Sequence, residues 1–267
     1  VNKGPKVKIN NINFGGNLID ETKLKKSLKE IHEKSRLTLF PVNDKPAIVK
    51  TSPYTFDQYL KERGYLTFSK TKKILNPYAR IGFSSSKYDI KKYDESKDNL
   101  LNYYNSLGFR DAVIEKDTIY HNAVGHLNID MQIKEGRKYF FGNISWRGNT
   151  KYPDSVLSSI LNIKKGDIYN REIFFNKLGK TPTAEGGDIS GIYQDDGYLF
   201  FSINPIETAV YNDTIDFEVR IQEGPQATIK TIRIAGNEKT KDFVVRREIR
   251  TVPGDKFSRS LLIRSQR

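Results

Sequence analysis

A sequence repeat is the feature that most constrains how this chain can fold. The dipeptide Gly-Asn occurs at residues 16–17, 148–149 and 236–237, at offsets of 132 and 88 residues (148 − 16 and 236 − 148). The same apolar spacing precedes each dipeptide, in segments 7–14, 139–146 and 227–234. Each segment alternates, slips by one residue and alternates again, which predicts a strand with a bulge at the slip. The chain is therefore expected to contain tandem copies of one folding unit.

A helix is predicted after each Gly-Asn turn. Asp20 and Asp154 are the candidate N-cap residues. The apolar stripes of the first two of these helices are predicted at Leu24, Leu28 and Ile31, and at Val156, Ile160 and Ile163.

A second helix and two strands complete the unit. In the first two copies, the second helix runs into a Gly-aromatic pair at 108–109 and 197–198, where glycine is the usual left-handed stop. Strands are predicted at 113–120 and 127–133 in the first copy, and at 199–206 and 215–221 in the second. The third copy ends at Arg267 inside its second helix.

The pattern predicts an α+β fold made of β-α-α-β-β units, each a three-stranded mixed sheet with two helices on one face. The expected units are 1–136, 137–225 and an incomplete third at 226–267, without its last two strands. Almost no linker separates them, since Glu135-Gly136 and Glu223-Gly224 join one unit to the next.

The first unit carries an insert of 132 − 88 = 44 residues at about 37–92. Residues 45–92 hold eleven basic and three acidic side chains, interleaved with aromatics. A short helix is predicted near 55–63. The mixture suits anionic lipid head groups or an acidic partner protein, and the candidate surface residues are Lys70, Lys72, Lys73 and Arg80. It also suits a folded excursion with solvated lysines. Nucleic acid is not expected, because no recognised nucleic-acid module surrounds the insert.

The strands that follow the Gly-aromatic stops, at 110–116 and 199–205, are predicted to be sheet edges. An open edge can pair with an extended peptide through backbone hydrogen bonds, without reading its sequence. The candidate binding residues are Asp111, Val113, Glu115, Phe200, Ser202 and Asn204. The alternative is an ordinary edge that pairs with nothing.

Catalytic and metal-binding patterns are weak. The chain has no Cys, which excludes disulfides and thiolate metal sites. His121 and His126 flank a predicted hairpin turn, and solvated turn residues explain them better than a metal site. The pair Asp195-Asp196 fits a helix end better than a catalytic dyad. No enzyme activity, metal or cofactor is therefore expected.

With its Gly-Asn, Gly-Asp and Gly-aromatic positions, the unit resembles a POTRA domain. Residues 226–267 are similar to the last POTRA unit of BamA-type outer-membrane assembly factors. The insert departs from that pattern and is reminiscent of enlarged units in Bacteroidetes homologues. The resemblance implies a periplasmic location in an outer-membrane protein and a membrane β-barrel downstream. It also implies unfolded outer-membrane proteins as clients, accessory lipoproteins as partners and no enzymatic activity.

Two other readings remain open. One is the arm of a related two-partner secretion or autotransporter-assembly transporter. The other is a cell-division-type POTRA scaffold that binds one folded partner. The number of units upstream would separate the first from an assembly factor, and a transmembrane helix upstream would favour the second.

Overall fold

The computed structural model describes residues 7–40, 46–49, 71, 74–82, 85–122, 124–180 and 187–266. The chain divides into two compact units, one of residues 1–105 and 109–137 and the other of residues 106–108 and 138–267. Each unit contains a three-stranded mixed sheet. The predicted α+β class is confirmed.

The sheet of the first unit has the strand order β1-β5-β4, with β1 parallel and β4 antiparallel to β5. A separate antiparallel ribbon, β2–β3, lies within the insert. The elements are β1 (Ile9–Gly15), α1 (Glu21–Ser27), β2 (Arg36–Leu37), β3 (Ala79–Arg80), α2 (Ile90–Ser106), β4 (Val113–His121) and β5 (Leu127–Lys134). The predicted helix near 55–63 and the lysines at 70, 72 and 73 lie outside the described residues.

The core of the first unit forms where strand and helix side chains meet. The register of β1 shifts between Ile9 and Asn11, which confirms the predicted bulge. Apolar side chains of β1 and β5 pack against Leu24 and Leu28 and against the inner face of α2. Asp20 accepts a hydrogen bond from Thr22 N, so this predicted N-cap is also confirmed.

The sheet of the second unit repeats this order as β6-β8-β7. The elements are β6 (Phe140–Arg147), α3 (Asp154–Leu161), α4 (Arg171–Leu178), α5 (Ile189–Asp195), β7 (Ser202–Tyr211) and β8 (Thr214–Gln222). Two helices, α4 and α5, stand where one was predicted. Left-handed Gly179 ends α4, and Asp188 begins α5 by accepting a hydrogen bond from Gly191 N.

The prediction for α3 was wrong by about one residue. Pro153 occupies the N-cap position, and Asp154 is the first helical residue. The buried stripe is accordingly Leu157 and Leu161, whereas Val156 is exposed. Proline there costs no hydrogen bond, because the first N–H groups of a helix have no partner within it.

The repeated Gly-Asn dipeptide has a structural reason. Gly16 and Gly148 have φ of 74° and 88°. A Cβ atom would lie 2.3 Å from the carbonyl oxygen of Ile133 at Gly16, and 2.2 Å from that of Ile221 at Gly148. Only glycine therefore lets this turn pass so close to the last strand. The Asn side chain that follows closes the turn by donating to a backbone carbonyl, from Asn149 Nδ2 to Tyr152 O, for example.

A second repeated contact ties the same turn to the end of the last strand. Glu135 Oε1 accepts hydrogen bonds from Leu18 N and from the hydroxyl of Tyr104 on α2. Glu223 Oε1 accepts the equivalent bonds from Lys151 N and the hydroxyl of Tyr193. Burial and the carboxylate partner raise the pKa of both tyrosines, so the hydroxyls stay protonated as donors.

The predicted strand at 227–234 is not formed. In the first two copies, the matching strand lies parallel to the last strand of its unit. Only an isolated bridge from Thr228 to Lys256 forms. Helices α6 (Asp242–Glu248) and α7 (Arg259–Ser265) follow, and neither contains a buried residue. A strand needs a neighbour for its backbone groups, which this segment lacks among the described residues.

Candidate functional site

Each three-stranded sheet has two edges, and they differ in how they are covered. The edges of the first sheet are β1 and β4, and those of the second are β6 and β7. Backbone groups at a free edge can pair with an added strand. The edges that remain open are therefore the candidate site.

The first four residues of the β1 edge are occupied by bonds from outside the sheet. Ile9 N donates to Ser86 O, and Lys34 N donates to Ile9 O, both at 2.8 Å. Further along, Ile12 N donates to the carboxylate of Glu33 at 2.8 Å. The insert and the segment after α1 thus take the groups that another strand would need.

The β6 edge is covered at its start. Phe141 N donates to Asp167 O, and Gly166 N donates to Phe141 O, both at 2.8 Å. In the third copy, Ile229 makes the same pair of bonds with Asp255 and Gly254. The repeated Gly-Asp dipeptide therefore occupies the backbone groups of the residue at this position of the repeat.

Among the described residues, strand β4 pairs only with β5 in its sheet. Of the three predicted residues, Val113 begins the strand and is half-exposed, while exposed Glu115 lies at a register shift between Ile114 and Lys116. Asp111 stands two residues before the strand, so the prediction that the strand begins at 110 was wrong. The strand itself was predicted at 113–120, and it ends one residue later, at His121.

Within the part of the chain that the structure describes, strand β7 pairs only with β8, and it begins at Ser202 rather than at 199. Ser202 and Asn204 are exposed on it, as predicted. Phe200 lies ahead of the strand in a turn and is 66% exposed. Pro205 has no N–H and is tolerated in a strand where no ladder donor is needed. The open edge of β7 therefore lacks one backbone N–H donor near its middle. The predictions from the sequence did not include this gap.

The face of the first sheet opposite the helices is closed. Asn128 and Asp130 point away from the core, alternating with its apolar residues, yet both are 0% exposed. Asp130 Oδ2 accepts hydrogen bonds from Ala47 N at 2.6 Å and Ile48 N at 3.0 Å. Its other oxygen accepts from Asn13 Nδ2 and the Tyr120 hydroxyl. The insert is thus bonded over this face of the sheet.

The matching face of the second sheet is not closed in this way. Glu218 occupies the position of Asp130 in the repeat, at an offset of 88 residues. Its carboxylate forms ion pairs with Arg220 at 2.5 Å and Arg147 at 3.9 Å. The side-chain hydrogen bond from Arg220 lowers the pKa of Glu218.

Arg80 does not belong to an exposed cationic surface, contrary to the prediction. Its side chain is 8% exposed and forms an ion pair with Glu33 at 2.8 Å. Burial raises the pKa of Glu33, but Lys25, Arg80 and the bond from Ile12 N outweigh that effect and hold it below the usual value. The two strands of the β2–β3 ribbon bring Arg80 opposite Arg36 and over β1. Sequence spacing could not show this, because 41 residues (38–78) separate the strands.

The carboxylate pair Asp195-Asp196 has structural partners. Asp195 Oδ1 accepts hydrogen bonds from Ser258 Oγ at 3.0 Å and Ser260 N at 2.8 Å. Asp196 forms ion pairs with Lys151 at 2.9 Å and Lys256 at 3.1 Å, and hydrogen bonds from these lysines lower its pKa. These contacts fasten residues 256–260 of the third copy to the second copy.

His121 and His126 lie at the two ends of the β4–β5 hairpin turn. His121 Nδ1 is 3.3 Å from Gly125 O. Among the described residues, no group of three or more His, Asp or Glu side chains is arranged to hold a metal ion. Within the same residues, no helix is long and apolar enough to cross a membrane.

Comparison with known proteins shows a match over almost the entire chain. The POTRA family model, described as "Surface antigen variable number repeat", matches residues 7–136, 139–224 and 227–267. The chain is similar to the outer membrane protein assembly factor BamA of Neisseria meningitidis serogroup B. The two are 27% identical over 186 residues, which cover 68% of this chain and 22% of that protein.

A second relative and a solved structure agree with this match. A putative outer membrane protein assembly factor of Treponema pallidum is 26% identical over 203 residues, covering 73% of this chain and 23% of that protein. The chain thus spans less than a quarter of the length of both relatives. The crystal structure of Haemophilus influenzae BamA POTRA3-5 aligns with a TM-score of 0.60 and 15% identity, over 98% of this chain and 85% of that one. At this identity the likeness concerns the fold alone.

Proposed function

Because the chain belongs to the POTRA family, we propose that it is the periplasmic part of an outer-membrane protein assembly factor. In this proposal it receives unfolded outer-membrane proteins by adding an extended client segment to an open sheet edge. The resemblance noted in the sequence is confirmed by the family match. The names of the relatives support assembly as the process.

The observation that carries the proposal is the uneven covering of the edges. Hydrogen bonds from the insert, the segment after α1 and the Gly-Asp turn occupy backbone groups at the start of β1 and the start of β6. Among the described residues, β4 and β7 each have a single strand neighbour, and no comparable set of bonds to their outer sides is seen. Client pairing would use backbone groups, which suits a receiver of many different sequences.

The two open edges are not equivalent in this proposal. Strand β4 has no proline, whereas β7 lacks a donor at Pro205. An added strand loses one backbone hydrogen bond at that position. We therefore assign β4 as the stronger client edge, although the bulge at Glu115 interrupts its first residues.

Site-specific photo-crosslinking tests the proposal. A photoreactive amino acid would replace Thr118 or Lys116 on β4, Asn204 on β7, or Glu172 on the exposed face of α4 as the control. Each variant would be mixed with an outer-membrane protein diluted from urea. The expected result is crosslinking at both strands, stronger on β4, with little at Glu172. Equal crosslinking at all positions, or none at the strands, would contradict strand addition.

Further partners follow from the same proposal. Accessory lipoproteins of the assembly complex would bind the arm, and the rest of the same chain would supply the outer-membrane part. Holding the client is non-covalent and uses no nucleotide or cofactor.

A further inference from the structure

The β2–β3 ribbon, defined as residues 35–40 and 78–82, presents large apolar side chains to solvent. The two strands are joined by the pairs Arg36–Arg80 and Leu37–Ala79 and by a 2.8 Å bond from Thr38 N to Tyr78 O. The exposed side chains are Leu37 (91%), Leu39 (91%), Phe40 (80%) and Ile81 (83%). Exposed apolar clusters of this kind mark surfaces that bind something.

The charge of the same region is one-sided. Residues 34–40, 74–82 and 85–88 contain Lys34, Arg36, Arg80 and Lys87 and no Asp or Glu. Glu33 compensates Arg80, but Arg36 donates to the neutral amide oxygens of Asn10 and Asn11, at 2.9 and 3.0 Å. The positive charge of Arg36 is therefore not neutralised by these bonds.

The cations lie at the base of the ribbon, beside the start of β1. Lys87 pairs with Lys8 in an antiparallel bridge, and Lys34 N donates to Ile9 O. Burial, followed by the charges of Lys34 and Lys8, lowers the pKa of His126 nearby. The electrostatic potential at the base of the ribbon is therefore positive. Leu37, Leu39 and Phe40 lie further along the ribbon than these cations.

A cavity next to the ribbon extends the apolar surface. It has a volume of about 690 Å³, and Ile12, Ile31, Leu75 and Ile81 are among its lining residues. Lys25 and Lys26 of α1 also line it, together with Glu21 and Glu33, and Lys25 forms ion pairs with both carboxylates. The cavity therefore adds apolar area next to the ribbon, and Lys26 is the lining lysine for which no ion pair to these carboxylates is seen.

We propose that the β2–β3 ribbon docks the first unit onto an anionic phospholipid surface. Leu37, Leu39 and Phe40 enter the boundary between head groups and acyl chains, and the cations at the base meet lipid phosphates. Interfacial segments combine apolar insertion with basic residues in this way. The core of a protein–protein interface is depleted in charged residues, whereas Lys34, Arg36 and Lys87 lie beside the apolar side chains here, which favours the anionic lipid surface.

This inference goes beyond client holding and does not depend on it. The ribbon is not part of the open edges β4 and β7, so a failure here leaves the proposed function untouched. A failure of crosslinking at β4 and β7 would likewise leave the ribbon proposal standing.

Vesicle sedimentation with the whole 267-residue chain tests the ribbon. The probes are phosphatidylcholine vesicles with and without phosphatidylglycerol. The chain is expected to sediment with the phosphatidylglycerol vesicles and to be released by salt. The double variant Leu37→Asn with Leu39→Asn is expected to lower the bound fraction about tenfold, whereas Leu18→Asn changes it by less than about twofold. Leu18 is the matched control, since it is 90% exposed at the other end of β1.

A fluorescent variant gives a second readout. It reports binding by a gain of signal, so a variant that fails to fold cannot imitate it. Leu39→Trp is expected to shift its emission to shorter wavelength when phosphatidylglycerol vesicles are added, while native Trp146 in the second unit supplies a constant background. Lys87→Gln is expected to weaken this response. The proposal is overturned if the chain binds neither kind of vesicle or binds both kinds equally. It is also overturned if the Leu37/Leu39 double variant has the same bound fraction as the native chain. Binding of an unfolded client by the ribbon without vesicle binding would overturn it in favour of a protein partner.

Discussion

The sheets of the first and second units share a strand order but differ in what covers their outer faces. Both have a glycine pressed against a strand carbonyl and a glutamate that accepts from a helix tyrosine. In the first unit, Asp130 is buried beneath the insert, whereas its counterpart Glu218 forms ion pairs with two arginines. The same alternation of apolar and polar residues can therefore give a sheet whose outer face is covered by other residues or one whose outer face is not.

The shared motifs therefore determine the fold of each unit, and the insert changes the surface of the first unit. The contacts of Gly-Asn, Gly-Asp and the strand-end glutamate are local and recur wherever the motif recurs. The cover over Asp130 comes from residues 47 and 48, more than 80 positions away in sequence.

The largest expected effect is that of Gly148→Ala. The added Cβ would lie 2.2 Å from Ile221 O in a backbone with φ of 88°, so the free energy of unfolding should fall by about 4 kcal/mol. Gly236→Ala, at the matching position of the third copy, meets nothing within 4 Å and should cost about 1 kcal/mol. Urea unfolding followed by Trp146 fluorescence measures the first of these and circular dichroism the second. Equal losses would show that strand approach does not explain the repeated glycine.

Asp130→Ala should rank next. It removes the acceptor of Ala47 N, Ile48 N and Asn13 Nδ2 beneath the insert, which should cost about 3 kcal/mol. Glu218→Ala is the matched change in the second unit and should have little effect, because that carboxylate meets its arginines at the surface. Urea unfolding followed by circular dichroism compares the two. A larger loss for Glu218→Ala would contradict the assignment of the sealed face.

The pH dependence of the first unit should trace to Glu33. Its pKa in the folded protein is below the ordinary 4.5, so its stabilising effect is fully present above that pH. The effect is lost as the pH falls below 4.5 towards the lower folded pKa. Glu33→Gln should therefore lower stability at neutral pH and flatten its decline in acid. An unchanged acid profile in this variant would place the effect elsewhere.

The Glu223 carboxylate offers the parallel test in the second unit. Burial raises its pKa, but bonds from Thr150, Lys151 N and Tyr193 outweigh burial and lower it overall. Its contribution should also disappear as the pH falls below 4.5, and Glu223→Gln should remove that decline from the unfolding followed by Trp146 fluorescence. A steeper acid decline in the variant would contradict the carboxylate role.

The smallest expected effect concerns the open edges. Pro205→Ala returns an N–H to the free side of β7, and the affinity for an extended client peptide should rise about threefold. Pro253→Ala, in a loop of the third copy, is the control and should leave affinity unchanged. Titration of a labelled peptide measures both. A fall in affinity for Pro205→Ala would show that clients do not pair with β7.

Local pattern was enough to predict the strands, bulges and glycine turns, because alternation and positive φ depend on neighbouring residues. It failed by one residue at α3, where proline rather than Asp154 starts the helix. It failed at 227–234, because a strand also needs a partner strand and the described residues supply only an isolated bridge. The burial of Arg80 and Asp130 could not be predicted for the same reason, since long-range pairing by the insert decides it.

Amide hydrogen exchange with and without a client tests the central claim most directly. The probe is an extended peptide with the alternating apolar and polar residues of a transmembrane β-strand. The account predicts new protection in β4, weaker protection in β7 interrupted at Pro205, and none in α3 or α4. Protection confined to the helices, or unchanged exchange along β4 at saturating peptide, would contradict strand addition at the open edges.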